Sequence, residues 1–233
     1  MENKITIVFL HGFLSDSSYS LLLIKSLKDL ANIKVLDLPG HNGVPLEKIK
    51  DYSGFVLAVN DFVKKNVAGS YIVCGFSLGG VIALEYHNNF YADPNYLGCL
   101  VWASPVGGNL TLISTFFHFI FKHFIPPFLF EFIKSNKLAQ RVLSVYGINI
   151  KFSRKRELLE IMEIIKSYKF KLSITEKKAV FVFHSQDSTV SGENRKYIPE
   201  GYQVNVINNL GHLPSKKCIN DVCTIIKNNF MLK

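Results

Sequence analysis

One serine of this chain lies where covalent chemistry is feasible. Residues Gly75–Gly79 read Gly-Phe-Ser-Leu-Gly, and they connect an apolar run at Tyr71–Gly75 to a run of helical spacing that begins at Leu78. A serine at such a strand-to-helix corner projects into solvent, and glycines flank it because a Cβ would meet neighbouring backbone. Ser77 is therefore predicted to be a nucleophile.

A serine hydroxyl is a weak nucleophile near neutral pH and needs a base within hydrogen-bond reach. His212 follows the last strand-like run, with Gly211 before it, and Asp187 follows the strand-like run before that. We expect His212 to take the serine proton and return it to the leaving group, while Asp187 holds the ring in the required tautomer. Asp93 and Asp221 are alternatives for the acid, at less suitable points of the chain.

The developing negative charge on a substrate carbonyl oxygen needs hydrogen-bond donors already in place. The backbone N–H groups of Phe13 and Leu78 are the expected pair. Leu78 follows the nucleophile at a helix N-terminus, and Phe13 lies in the loop after the first strand-like run. His11, in the same loop, is expected to order that loop by hydrogen bonding and not to act as the base.

Apolar runs alternate with helical periodicity through most of the chain. The predicted strands are Ile5–Leu10, Ile33–Leu36, Tyr71–Gly75, Leu97–Ala103, Ala179–His184 and Gln203–Ile207. The predicted helices are about Ser18–Leu30, Tyr52–Val67, Leu78–Phe90 and Pro214–Phe230. Continuous apolar strands separated by helices predict an α/β fold, a mostly parallel sheet of about six strands with helices on both faces. Reactive groups collect at the carboxyl ends of such strands.

The alternation stops between Pro105 and Lys178, which has no convincing strand. Eight of the 19 phenylalanines lie between Phe116 and Phe132, and the apolar stretch there is too interrupted for a membrane span. We predict a helical cap at 105–178 inserted into a core of 1–104 and 179–233. The aromatic residues either pack the cap on the core or line an acyl-binding tunnel. The predicted substrate-binding residues are Phe13, Phe116, Phe117 and Leu213.

Composition limits the class of protein. A chain of 233 residues with 48% apolar residues can bury one substantial core. The four cysteines show no C-x-x-C spacing, which disfavours a disulfide framework or zinc site and favours a cytoplasmic location. The first apolar run is too short for a secretion signal, and there is no glycine-rich phosphate loop. We expect no cofactor, no metal and no nucleic-acid partner.

The net charge of +9 is concentrated in the predicted cap. Residues 105–178 contain 13 Lys or Arg against 5 Glu, a balance of +8. Such a segment fits an acidic carrier protein or an anionic lipid surface, with Arg154, Lys155 and Arg156 as the candidate docking cluster. The alternative is that lysine is simply common throughout this sequence.

Five motifs together resemble the α/β-hydrolase superfamily, specifically its small, cofactor-free bacterial members. They are His11-Gly12-Phe13, Asp37-Leu38-Pro39-Gly40-His41, Gly75-Phe76-Ser77-Leu78-Gly79-Gly80, Asp187 with Val190, and Gly211-His212-Leu213-Pro214. The resemblance covers the chain outside the cap and implies an α/β-hydrolase fold. Similar proteins include carboxylesterases, monoacylglycerol lipases, thioesterases, a methyl esterase of pimeloyl carrier protein and a lyase of menaquinone synthesis. Departures occur at His184-Ser185-Gln186, Ser188 and Ser215-Lys216-Lys217.

The function expected from these residues is a serine hydrolase. It would cleave carboxylic esters of apolar, medium-chain acyl groups through an acyl-enzyme, with a small-molecule ester as substrate. The alternatives are a non-hydrolytic lyase in which Ser77 abstracts a proton, an esterase or thioesterase for carrier-linked acyl groups, and a binding module without activity.

Overall fold

Six parallel strands form the sheet of this protein in its computed structural model. The structure describes residues 4–47, 49–145, 148–150, 153–168, 177–208, 211–213 and 216–231, without the side chains of Ser18, Tyr19, Leu22, Ile113, Ser114, Phe117 and Val145. The strands are β1 (Ile5–Leu10), β2 (Ala31–Leu36), β3 (Tyr71–Phe76), β4 (Tyr96–Trp102), β5 (Lys178–His184) and β6 (Gln203–Ile207). Their order across the sheet is β2-β1-β3-β4-β5-β6.

Eight α-helices lie in the described part of the chain. They are α1 (Leu21–Leu27), α2 (Tyr52–Asn66), α3 (Leu78–Phe90), α4 (Leu112–His123), α5 (Pro127–Ser135), α6 (Lys137–Val145), α7 (Lys155–Ser167) and α8 (Lys216–Ile226). Short 3₁₀ turns occupy Ser17–Ser20 and Gly192–Tyr197, and a π-helical turn, Lys227–Met231, follows α8. None of the described helices has the length and apolar character needed to cross a membrane.

Both faces of the sheet are buried, as its continuous apolar strands predict. Successive side chains of a strand point to opposite faces, so Val8 and Leu10 pack with α2, α3 and α7, whereas Ile7 and Phe9 pack with α1 and α8. The α/β prediction of a parallel sheet covered on both sides is confirmed.

The first predicted helix is shorter in the structure than in the sequence analysis. The serine-rich residues Ser17–Ser20 form a 3₁₀ turn, and the Ser20 hydroxyl donates to the Ser17 carbonyl at 2.6 Å. Serine side chains compete for backbone groups in this way, so α1 begins only at Leu21. At the other end of the chain, Pro214 lies outside the described residues and α8 begins at Lys216.

Four helices, α4 to α7, follow β4 and precede β5. The last of them does not lie apart from the core, because Ile161, Ile164 and Ile165 of α7 join the same buried cluster as residues of β1 and β3. The division of the chain into a core and a cap at 105–178 stays a prediction.

Helix α3 packs on the sheet with almost no space between the two backbones. A Cβ built on Gly75 would lie 2.0 Å from the Gly79 carbonyl oxygen, and one on Gly79 would lie 2.3 Å from the Leu10 carbonyl oxygen. A Cβ on Gly80 would lie 1.8 Å from the Ser104 Oγ. These glycines therefore fix how closely α3 approaches β1 and β3.

We expect Gly75→Ala to destabilise the protein by more than about 3 kcal/mol, since its methyl group would displace backbone and not a flexible side chain. Urea unfolding followed by circular dichroism measures the change. Gly201→Ala is the matched control: its φ is +94°, nothing lies within 4 Å of the added Cβ, and backbone strain alone costs about 1 kcal/mol. Equal losses for the two variants would contradict the close packing of α3.

Candidate active site

Ser77 occupies the tight corner between β3 and α3. Its backbone has φ 55° and ψ −116°, a conformation that costs a non-glycine residue about 1–3 kcal/mol. Its N–H donates to the carbonyl of Trp102 at 2.8 Å, which anchors the corner to the neighbouring strand β4. The sequence prediction of a strand, a sharp turn and a helix around this serine matches the structure.

The structure brings the three predicted side chains together in one hydrogen-bonded chain. His212 Nε2 lies 3.1 Å from Ser77 Oγ, and His212 Nδ1 lies 2.7 Å from Asp187 Oδ2. A carboxylate can only accept, so Nδ1 carries the proton and donates it to Asp187. In the neutral ring the lone pair of Nε2 then faces the serine hydroxyl, in the geometry that a general base requires.

Asp187 is held as a carboxylate although its side chain is only 5% exposed. Burial acts to raise its pKa, but the hydrogen bond and charge of His212 and the N–H groups of Val190 and Thr189 outweigh burial, and the pKa is lowered. Those two N–H groups donate to Oδ1 at 2.8 Å each, which leaves Oδ2 for His212. The loop after β5 thus fixes the direction of the carboxylate.

The loop after β1 lies directly against the nucleophile corner. His11 Nδ1 donates to the Gly12 carbonyl at 2.8 Å, and its Nε2 accepts the N–H of Leu38 at 3.0 Å. Burial lowers the pKa of His11, consistent with the neutral ring that this pattern needs. A Cβ on Gly12 would lie 3.2 Å from the Ser77 Cβ. His11 orders its own loop, as the sequence indicates, and brings Phe13 beside the serine.

Leu78 is the first residue of α3, so its N–H lacks a carbonyl partner within the helix. Phe13 and Leu78 line one cavity together with Ser77. Their roles as donors to a substrate oxygen stay predictions.

His184 has a part in the site that the sequence analysis did not assign. Its Nδ1 donates to the Gly211 carbonyl at 2.8 Å, and its Nε2 accepts the indole N–H of Trp102 at 2.8 Å. Burial is the main cause that lowers the pKa of His184 and keeps the ring neutral. The hydrogen bond to Gly211 fixes the residue that directly precedes His212. The available signal was a polar residue ending an otherwise apolar strand, in a position where the family pattern differs.

A small cavity of about 70 Å³ opens beside Ser77. Core residues form one wall, and α4 and α7 supply much of the other. Its lining residues are Phe13, Ser77, Leu78, Pro105, Leu110, His118, Met162, Ile165, Lys166, Thr189 and Val190. Most of this surface is apolar, and its basic corner consists of His118 in contact with Lys166. Burial, followed by the charge of Lys166, lowers the pKa of His118.

Two of the predicted substrate-binding residues do not line this cavity. Phe116 is 61% exposed, because α4 turns the side that carries His118 toward the cavity and Phe116 lies about 200° around the helix from it. Leu213 is 41% exposed and is also outside the described lining. The side chain of Phe117 lies outside the described residues. Phe13 lies in the cavity wall, and its role in substrate binding stays a prediction.

Comparison with known proteins defines the class to which this fold and site belong. A family model described as the alpha/beta hydrolase family matches residues 7–216. The chain belongs to the alpha/beta hydrolase family.

Similar proteins within that class include a lipase, an esterase and a lactonase. Over 110 residues, 45% of this chain, the sequence is 33% identical to monoacylglycerol lipase abhd6-A of Xenopus laevis, and the match spans 32% of that protein's length. A marine microorganism esterase superposes with a TM-score of 0.75 at 17% identity, covering 98% of this chain and 96% of its own. The enol-lactonase of Burkholderia xenovorans LB400 gives 0.74 at 12% identity, covering 99% and 92%.

Replacing His184 tests its hold on the histidine loop. His184→Phe should lower kcat about tenfold to a hundredfold with little change in KM, because the loop that carries His212 loses an anchor. His87→Phe is the matched control, since His87 is also fully buried, with its pKa lowered to about 4 by burial, and bonds Tyr96 instead. Equal loss of kcat in the two variants would contradict a positioning role for His184.

The same variants make a prediction about pH. A histidine whose folded pKa is below its unfolded value of about 6.5 contributes stability above that pH and loses it as the pH falls. Each such residue contributes a slope of up to about 1.4 kcal/mol per pH unit. Between pH 7 and pH 5, urea unfolding should therefore show a shallower loss of stability in either variant than in the wild type. An unchanged slope would contradict the buried neutral state.

Proposed function

We propose that the protein is a serine hydrolase that cleaves carboxylic esters through an acyl-enzyme. The observation that carries this proposal is the hydrogen-bonded chain from Ser77 Oγ through the His212 ring to Asp187. It supplies a nucleophile, a base with a free lone pair and a carboxylate that stabilises the imidazolium.

In the proposed first step, the Ser77 proton moves to His212 Nε2 while Oγ bonds to the substrate carbonyl carbon. The carbonyl oxygen becomes an oxyanion, for which the N–H groups of Phe13 and Leu78 are the proposed donors. The intermediate then re-forms its carbonyl and expels the alcohol oxygen, which takes the proton from His212. Water attacks the acyl-enzyme with His212 again as base, and the acid leaves with Ser77 restored.

The acyl group of the proposed substrate is apolar. Phe13, Leu110, Met162 and Ile165 supply apolar walls next to Ser77. The cavity of about 70 Å³ is small, so an acyl chain of many carbons enters only if α4 or α7 moves. We therefore propose short to medium acyl groups as the preferred substrates, in keeping with the sequence expectation of a medium chain.

The relatives support hydrolysis over the lyase alternative. The proteins compared above are named as a lipase, an esterase and a lactonase, and a type II thioesterase of a borrelidin biosynthetic cluster shares the fold at a TM-score of 0.68. A thioester of the same acyl group would place its carbonyl carbon against Ser77 in the same way. Thioesters are accordingly included in the test of substrate.

A series of p-nitrophenyl esters from acetate to palmitate tests the chemistry and the size of the pocket. We expect kcat/KM to peak at short or medium chains and fall for palmitate, and Ser77→Ala to lose at least about 10³-fold on each substrate. The matching acyl thioesters, followed by thiol release, separate ester from thioester preference.

A fluorophosphonate probe gives a second readout, because it bonds covalently only to an activated serine. It should label the wild-type chain at Ser77 and leave Ser77→Ala and His212→Ala unlabelled. Absence of both turnover and labelling in correctly folded wild-type protein would overturn the hydrolase proposal.

A further inference from the structure

The helices α4 to α6 expose an unusual number of large apolar side chains. We call these residues the apolar cap surface: Leu112, Phe116, Phe119, Phe124, Phe128, Phe132, Leu138 and Val142, each between 51% and 88% exposed. The five phenylalanines alone expose on the order of 600 Å², at about 200 Å² for each full side chain. For comparison, the largest contiguous apolar patch on a typical monomer is about 300–600 Å², and patches of that size mark interaction sites.

Their spacing places them on one side of each helix. Leu112, Phe116 and Phe119 are four and three residues apart on α4, and Phe128 and Phe132 are four apart on α5. Leu138 and Val142 repeat the four-residue spacing on α6.

Contacts join consecutive elements of this surface. The rings of Phe119 and Phe124 lie 5.8 Å apart and connect α4 to the segment that leads into α5. The side chain of Asn136 accepts the N–H groups of Leu138 and Ala139, which joins the end of α5 to the start of α6.

Positive charge borders the same surface. Lys137 and Arg141 precede Leu138 and Val142 on α6, both are exposed, and neither forms an ion pair with an acidic side chain among the described residues. By contrast, Arg154 and Arg156 of the docking cluster expected from the sequence pair with glutamates of their own helix, at 3.9 and 2.8 Å. Lys155 donates to the Lys122 carbonyl at 3.5 Å and lies over the Phe121 ring. We therefore assign the cationic part of the surface to α6 and not to residues 154–156.

Exposed aromatic side chains next to positive charge favour an anionic membrane as the partner of this surface. An anionic bilayer interface offers an apolar layer for phenylalanine and leucine and a negative surface potential worth about 1 kcal/mol for each nearby lysine or arginine. A second copy of this chain would bring two segments of charge +8 together, and an acidic protein would leave the aromatic rings against polar side chains. We propose that the apolar cap surface docks on membranes that contain anionic lipid.

Docking would connect the membrane to the cavity through a single helix. Helix α4 turns His118 toward the cavity beside Ser77 and turns Phe116 and Phe119 outward. The docking itself requires none of the chemistry proposed for Ser77, so binding and turnover are separate tests.

Vesicle flotation with full-length protein tests the docking. Wild-type protein should float with phosphatidylcholine vesicles that contain phosphatidylglycerol, far less with phosphatidylcholine alone, and less as salt is raised. The double variant Phe128→Ser with Phe132→Ser should lower the partition coefficient onto vesicles at least about tenfold, because apolar burial is lost. Lys137→Glu with Arg141→Glu should do the same through charge.

Matched controls lie on α2, away from the cap. Leu57 is 57% exposed, and Lys64 and Lys65 are exposed on the same helix. The variant Leu57→Ser removes exposed apolar area, and the double variant Lys64→Glu with Lys65→Glu reverses two charges. Both should bind vesicles like the wild type. Circular dichroism confirms that every variant folds.

Three results would overturn the proposal. One is equal binding of wild-type protein to neutral and anionic vesicles, and another is equal loss in the cap and α2 variants. The third is a wild-type protein that does not bind vesicles and sediments as a dimer, while the phenylalanine double variant sediments as a monomer. That result would assign the surface to self-association. Ser77→Ala should bind vesicles like the wild type. The docking can therefore be tested even if the hydrolase proposal fails.

Discussion

The close approach of α3 to β1 and β3 is the constraint on which the rest of the site depends. Because Gly75 and Gly79 carry no side chains, backbone meets backbone, and the turn between them has no room to relax. Ser77 accepts a strained φ of 55° as a result. The buried clusters on both faces of the sheet supply the stability that offsets this strain, and they hold the serine in one position.

Two neutral histidines fix the loops that surround this corner. His11 orders the loop that contains Phe13, and His184 holds the loop that contains His212. Each ring uses one nitrogen as donor and the other as acceptor, which only the uncharged form can do. Burial enforces that form by lowering the pKa of both rings. The site is thus built on groups whose protonation would break it, and its integrity is coupled to pH through residues that do no chemistry in the proposed reaction.

The parts of the structure that local sequence determines were predictable. Buried strands appear in the sequence as continuous apolar runs. The positions of Ser77, Asp187 and His212 follow from the strands that precede them. The direction of helices α4 to α6 was not predictable, because helical spacing shows that Phe116 and Phe119 share a side without showing whether that side is buried. Packing decides it: Phe130 is buried against Ile150 and Leu158, while most phenylalanines near it remain outside. His184 was missed because its partners, Trp102 and Gly211, are distant in sequence.

The two sides of α4 differ in a way that packing on the rest of the protein does not explain. A helix that only covered the site would gain stability by turning its phenylalanines inward, at about 1.5–3 kcal/mol for each side chain buried. Here Phe121 packs inward against Phe130, and His118 faces the cavity, where its contact with Lys166 requires a neutral ring. The outward side still carries Leu112, Phe116 and Phe119. That arrangement leaves apolar area unburied in the isolated chain. Docking on an anionic bilayer, as proposed, would cover this area, and Lys137 and Arg141 of α6 would meet its negative charge.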